Sequence, residues 1–185
     1  MLDCETLYLL SPYPVMAVAA SANAWYGWVA PKNEVPDRLI PLGHPDTLRL
    51  IVAHNASYDR ARISEEYRFL PTASQFIDTL SLHCAVGGLS TQQRALWISH
   101  QRDVAGGVAA HVDDWKAHAS LNSITHVAKL HLGLQVDKSS RDEFASGTVE
   151  SINEPKMFQK LMSYCATDVK VTHDLFRVLL PKVKF

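Results

Sequence analysis

The sequence predicts an α/β protein in which a mixed β-sheet is flanked by α-helices. Three observations carry that prediction. The first 30 residues hold three β-prone runs too close together for helical crossovers, so that part of the sheet is antiparallel. Strand–helix pairs follow. A helix with one apolar stripe then closes the chain, and the succession gives a layered sheet-and-helix architecture.

Taken in order, residues 2–10, 15–20 and 25–29 are the three strands, separated by Ser11-Pro12-Tyr13-Pro14 and Ser21-Ala22-Asn23, which are hairpin-type breaks. Pro31, Pro36, Pro41 and Pro45 make residues 30–47 a loop. Arg49-Leu50-Ile51-Val52-Ala53 is a short apolar strand, and His54-Asn55-Ala56-Ser57 turns out of it. Residues 58–67 are helical, with Ser57 or Asn55 as N-cap. Phe76-Ile77 leads into a helix near 79–86 for which Asp78 is the cap and Gly87-Gly88 the end. Residues 99–119 are polar and lack a sustained period, so a mobile insertion is expected there. Ser120 is expected to cap a helix carrying Leu121, Ile124, Val127 and His131 on one face, stopped by Gly133. Residues 135–152 read as irregular. The closing helix runs from about 155 to 178 and buries Phe158, Leu161, Met162, Cys165, Val169 and Phe176.

At 185 residues, 47% hydrophobic and 20% charged, the chain fits one globular domain over 1–185. No run is apolar over the roughly 18 residues that a membrane span requires. Cys4, Cys84 and Cys165 stand in apolar or strand-like surroundings and form no disulfide framework, which fits a reducing compartment. Nine histidines raise the question of zinc, but no Cys-x-x-Cys or paired-His spacing supports it.

The chemistry lies in the acids. Asp3 and Glu5 are two apart on the first strand, so both leave one face of the sheet. Asp59 falls at the start of the helix after the fourth strand, where negative charge is tolerated. Tyr164 and Asp168 are four apart on the last helix and share a face with Val171 and Leu175. Converging carboxylates repel, and hard divalent cations resolve the conflict. Two such ions ~4 Å apart activate a water and stabilise a leaving oxygen in phosphodiester cleavage. A tyrosine hydroxyl beside the fourth acid can orient that water. Taken singly, an Asp-x-Glu is more often a solvated edge, and Asp59 could simply support its helix start.

Asp3-Cys4-Glu5, His54-Asn55-Ala56-Ser57-Tyr58-Asp59 and Tyr164-Cys165-Ala166-Thr167-Asp168 resemble the three motifs of the DEDD exonucleases. The tyrosine subclass fits, because the histidine subclass would place His where Ser163 stands. Further runs are similar to the exonuclease domains of the animal-type mitochondrial DNA polymerase gamma family: Val52-Ala53-His54-Asn55, Phe76-Ile77-Asp78-Thr79-Leu80-Ser81-Leu82-His83, and Gly88-Leu89-Ser90 with Gln93-Arg94-Ala95-Leu96-Trp97. The resemblance implies a ribonuclease H-like fold and proofreading removal of nucleotides from single-stranded or mismatched DNA 3′ ends. It implies two Mg²⁺ ions (Mn²⁺ as a substitute) held by Asp3, Glu5, Asp59 and Asp168, with Tyr164 catalytic. It further implies a mitochondrial location, and as partners a polymerase region and an accessory subunit.

The amino terminus has no transit-peptide composition, so an import signal is expected upstream. The polymerase's synthetic region is absent from the sequence. A net charge of −1 and a pI near 6.7 mean that help in binding DNA is expected from metal ions and a larger polypeptide. Two alternatives stay open: an inactive structural fragment of such a polymerase, and a stand-alone RNA-trimming nuclease of the same superfamily. Among neighbouring residues, Asp78 is expected to cap a helix and not to bind metal. Asn55 either approaches substrate or closes its turn, and Arg60 either touches phosphate or pairs on the surface. Arg94 and Trp97 either stack on DNA or anchor their loop.

Overall fold

A computed structural model describes residues 2–6, 14–29, 48–61, 75–107, 116, 118–139 and 154–183, with backbone alone at 2–6, 14, 15, 28 and 29. The elements are β1 (Leu2–Thr6), β2 (Pro14–Ala20), β3 (Trp25–Val29), β4 (Leu50–Ala53), α1 (Ala56–Ala61), β5 (Gln75–Asp78), α2 (Thr79–Gly87), α3 (Thr91–Ala105), α4 (Ile124–Leu132) and α5 (Pro155–Leu179). A 3₁₀ turn, Leu180–Lys182, follows α5. Among the described residues, no helix is long and apolar enough to cross a membrane.

The described strands form two small sheets flanked by helices where the sequence predicts one mixed sheet; the first is antiparallel, as the first 30 residues predict, and the second is parallel. β1, β2 and β3 form an antiparallel ladder in that order, with Asp3 opposite Val18 and Glu5 opposite Met16. The turn between β2 and β3 is closed by the Ser21 hydroxyl, which accepts from the Ala24 N–H at 3.1 Å. β4 and β5 pair in parallel, Ile51 with Phe76 and Val52 with Ile77, and β1 lies against β4.

The long helix α5 organises both halves of the core. Leu161, Cys165 and Val169 pack on Met16 and Val18 of β2. Nearly three turns further on, Val171, Leu175 and Leu179 pack on Val127 and Ala128 of α4 and on Val136. Of the expected stripe, Leu161, Cys165 and Val169 are buried while Phe158, Met162 and Phe176 are partly covered. β3 approaches α5 closely, and a Cβ on Gly27 would meet the Met162 methyl at 2.8 Å. Cys84 and Cys165 are free thiols.

Three elements differ from the sequence expectation. Residues 75–78 form a strand and not a helix approach, because pairing with β4 selects the extended form of a segment too short to show a period. Residues 99–105 complete α3, which starts at a capping box in which Ser90 and Gln93 bond reciprocally. None of its residues is buried, so no apolar period marks it. Ser123, not Ser120, precedes α4 and accepts from the His126 N–H. Ser120 is buried instead, its N–H donated to the Gly87 carbonyl. Gly133 ends α4 with φ of 66°, the left-handed cap expected of it. Expected structure at 7–10, 30–47, 62–67, 108–115, 117 and 140–152 lies outside the described residues.

Candidate active site

β4 delivers the chain into a tight turn before α1. Asn55 adopts φ of +62°, a left-handed conformation that its short amide side chain tolerates. The Tyr58 N–H donates to the Asn55 carbonyl at 2.9 Å, and the Ser57 hydroxyl reaches the Asn55 amide oxygen at 3.1 Å. Asn55 thus closes the turn from the position before the helix, whereas Ser57 lies inside it.

Asp78 fastens this turn to α2. Its Oδ1 accepts from the N–H groups of Leu80 (3.0 Å) and Asn55 (2.8 Å), and Oδ2 accepts from the Ser81 hydroxyl (2.9 Å). It is a helix cap, as expected, and it also ties two motif segments together.

His54 fastens the turn from the other side. One ring nitrogen meets Thr79 Oγ1 at 3.0 Å and the other meets the Asn122 carbonyl at 3.0 Å. Burial lowers the pKa of His54; the Asn122 carbonyl and the charges of Asp78 and Asp168 oppose that shift. A neutral ring then donates Nε2–H to Asn122, and the single Thr79 hydroxyl proton is shared between His54 Nδ1 and the Ala53 carbonyl 3.2 Å away. β4 itself lies against α5, so the turn after it starts beside the helix that carries Asp168.

Asp59 is only 3% exposed on α1, and Asp168 only 6% exposed on α5. Tyr164 precedes Asp168 by one helical turn and packs against the β2–α5 core. β1, with Asp3 and Glu5, is a common neighbour of α1 and α5. In register, Asp3 and Glu5 stand opposite the two β2 residues on which α5 packs. The backbone therefore gathers the three motif segments around β1. Arg60 is exposed, with its guanidinium 5.9 Å from the Phe76 ring centroid, a cation–π contact.

Compared with known proteins, the chain matches the family model described as the DNA mitochondrial polymerase exonuclease domain over residues 1–183. The chain belongs to that family. It is 38% identical over 204 residues to the mitochondrial DNA polymerase gamma of Neurospora crassa, covering 97% of this chain and 14% of that protein. With DNA polymerase gamma of Saccharomyces cerevisiae it shares 40% over 192 residues, covering 97% and 15%. With the mitochondrial DNA polymerase subunit gamma-1 of Drosophila melanogaster it shares 36% over 203 residues, covering 97% and 17%. The chain thus spans about a seventh of the length of the two fungal relatives.

For an exonuclease domain of this family, the donor chemistry suits hard divalent cations: two buried carboxylates with a phenolic oxygen one turn from one of them. The ammonium of Lys138 rests on Asp168, which marks that carboxylate as a seat for positive charge. Among the described residues, no three His, Cys, Asp or Glu side chains converge, and that set does not include the side chains of Asp3 and Glu5. Sequence reasoning missed two residues that contact or brace the motif segments. Lys138 stands in a segment without a period, 26 residues before the tyrosine it meets. His54 was seen only as part of a turn motif, although a His directly after a buried strand and before a family acid is a usable signal.

Proposed function

We propose that this domain is a metal-dependent 3′→5′ exonuclease that proofreads for a mitochondrial replicative DNA polymerase. The observation that carries the reading is the seating of Tyr164 and Asp168. They stand one turn apart on α5, are joined through Lys138, and lie on a helix that touches the strand of Asp3 and Glu5. Membership of the polymerase exonuclease family supports the same conclusion. We assign Asp3, Glu5, Asp59 and Asp168 as oxygen donors to two divalent ions, Mg²⁺ with Mn²⁺ as a substitute. When bound, those ions supply an acidic water at neutral pH and countercharge for the leaving oxygen.

The chain's own residues do the rest. The Tyr164 hydroxyl orients the attacking water, and its place on a packed helix fixes that direction. Burial of Asp59 and Asp168 excludes bulk water, which strengthens each charge interaction made there. The water oxygen bonds to the terminal phosphorus, and the bond from phosphorus to the preceding 3′-oxygen breaks. That oxygen leaves protonated and a nucleoside 5′-monophosphate is released. Mismatched or single-stranded ends are preferred, because a paired end must first be unstacked. Asn55 and Arg60 flank Asp59 and are assigned a weaker role beside the substrate strand.

We assign residues 1–185 to a single nuclease domain, acting beside a polymerase region and an accessory subunit in mitochondria. The near-neutral charge supports such company, since phosphate affinity rests chiefly on Lys and Arg. The test is incubation with a 3′-mismatched DNA duplex and Mg²⁺ or Mn²⁺, beside Asp168→Ala. Metal-dependent mononucleotide release that disappears in D168A is expected; its absence from the parent protein refutes the reading. Equal or faster trimming of RNA would point to an RNA-processing nuclease instead.

A further inference from the structure

Lys138 is a charged residue that the assignment above leaves without a task. Its Nζ donates to the Tyr164 hydroxyl at 2.7 Å and to Asp168 Oδ2, and it lies 4.2 Å from the centre of the Tyr164 ring. Its side chain is only 22% exposed, so this is not a loosely solvated surface pair. The segment that carries it is fixed at both sides. Val136, two residues earlier, is buried against Val171, Leu175 and Leu179 of α5, and Gly133 turns the chain toward that helix. One residue later, the Ser139 N–H is donated to the Asp137 carboxylate at 2.8 Å, which holds the backbone on the other side of Lys138.

We infer that Lys138 is a positioning residue of the nuclease site: a resident cation that clamps Tyr164 to Asp168 and yields Asp168 Oδ2 when a divalent ion arrives. The inference rests on the nuclease reading above. One ammonium bonded to both groups fixes the tyrosine oxygen relative to the carboxylate. It also supplies positive charge to buried acids that would otherwise repel. A divalent ion bound through the same carboxylate competes with the ammonium for one oxygen, so metal binding and the lysine contact are coupled. A lysine that served packing alone would show no such coupling.

The experiment compares the parent chain with Lys138→Met, Lys138→Gln and Lys138→Arg, and uses D168A as reference. Free Mn²⁺ is titrated and read by electron paramagnetic resonance, thermal unfolding is followed with and without Mn²⁺, and mononucleotide release is measured from mismatched DNA. In K138M and K138Q the metal-free Tm is expected to fall and the rise on adding Mn²⁺ to exceed that of the parent. Mn²⁺ affinity without DNA is expected to tighten by about tenfold, the removed competitor being a full charge at contact distance. At saturating metal, kcat is expected to drop by about 10- to 100-fold with KM for DNA little changed, as for other groups that orient a metal ligand. K138R keeps the positive charge but not the compact point contact with both oxygens, so each property is expected to fall between the parent and K138Q.

Parent protein that binds Mn²⁺ and cleaves, with K138M and K138Q matching it in metal affinity and metal-induced Tm rise, would overturn the inference and leave the nuclease reading intact. Parent protein without Mn²⁺ binding sensitive to D168A would overturn the nuclease reading and the inference with it. K138Q and K138R keep the comparison open if K138M does not fold.

Discussion

Acidification should destabilise this domain through a buried histidine pair, and one substitution should remove much of that sensitivity. His83 is fully buried on α2, with Nδ1 3.0 Å from Nε2 of His131 on α4 and Nε2 3.3 Å from the Ser120 carbonyl. The Ser120 carbonyl can only accept, so neutral His83 donates from Nε2 and receives the His131 Nε2–H at Nδ1. Protonating His83 at Nδ1 would set two donors face to face, whereas protonated His131 keeps its Nε2–H bond but places a charge in a partly desolvated position beside Lys182. Burial, then the neighbouring His83 and Lys182, push His131 from 6.5 down to about 4, and burial lowers His83 as well.

The unfolded chain takes up the His131 proton near pH 6.5, whereas the folded chain resists until about pH 4. The unfolded state therefore binds more protons between those values. Stability contributed by the neutral pair is full above pH 6.5, declines as pH falls through the window, and levels off below about 4. At about 1.36 kcal/mol per pH unit the gap corresponds to roughly 3 kcal/mol, reduced to about 2 because solvent reaches part of the His131 ring. Urea unfolding at pH 7.0, 5.5 and 4.5 on the parent and His131→Gln measures it, since glutamine keeps a neutral donor for His83. Between pH 7 and 4.5 the parent is expected to lose about 2 kcal/mol more than the variant. Parallel curves, or a larger loss in H131Q, would refute the argument.

Gly88→Ala should destabilise by about 1–3 kcal/mol or more, because a Cβ there would meet the Cys84 Cα at 2.5 Å and the backbone at α2's end must shift; thermal unfolding reads this out. Asp78→Ala should cost about 1–2 kcal/mol through loss of the α2 cap, seen as a lower urea midpoint, with Mn²⁺ affinity of the folded protein near that of the parent. Asp59→Asn should abolish mononucleotide release while circular dichroism and Tm stay near the parent, which separates the carboxylate's chemistry from its packing. Leu161→Ala, at a position 1% exposed between β2 and α5, should cost about 2–5 kcal/mol in chemical denaturation.

The sequence by itself determined the elements whose signal is local. Trp25–Val29 is bounded by turn residues and reads directly as a strand. The stripe along Pro155–Leu179 reads directly as a helix, and Asp78 reads as a cap because capping joins residues two or three apart. Two-residue spacing on a strand puts Asp3 and Glu5 on one face, and four-residue spacing on a helix puts Tyr164 and Asp168 on another; their grouping with Asp59 as one motif set came from the family resemblance and not from spacing. Elements whose stability comes from distant partners were not legible. β5 depends on pairing with β4, 25 positions away, and α3 shows no apolar period because it buries nothing.

The tertiary structure alone decided the company the acids keep. Nothing in residues 133–139 announces that Lys138 will reach Tyr164 and Asp168; that contact exists because Val136 is drawn into the core beneath α5. Likewise, His83 meets His131 only because α2 and α4 pack on the same end of that helix. Local spacing sets which way a side chain leaves its own element, while the charge and hydrogen bonds it then meets come from segments brought in by burial.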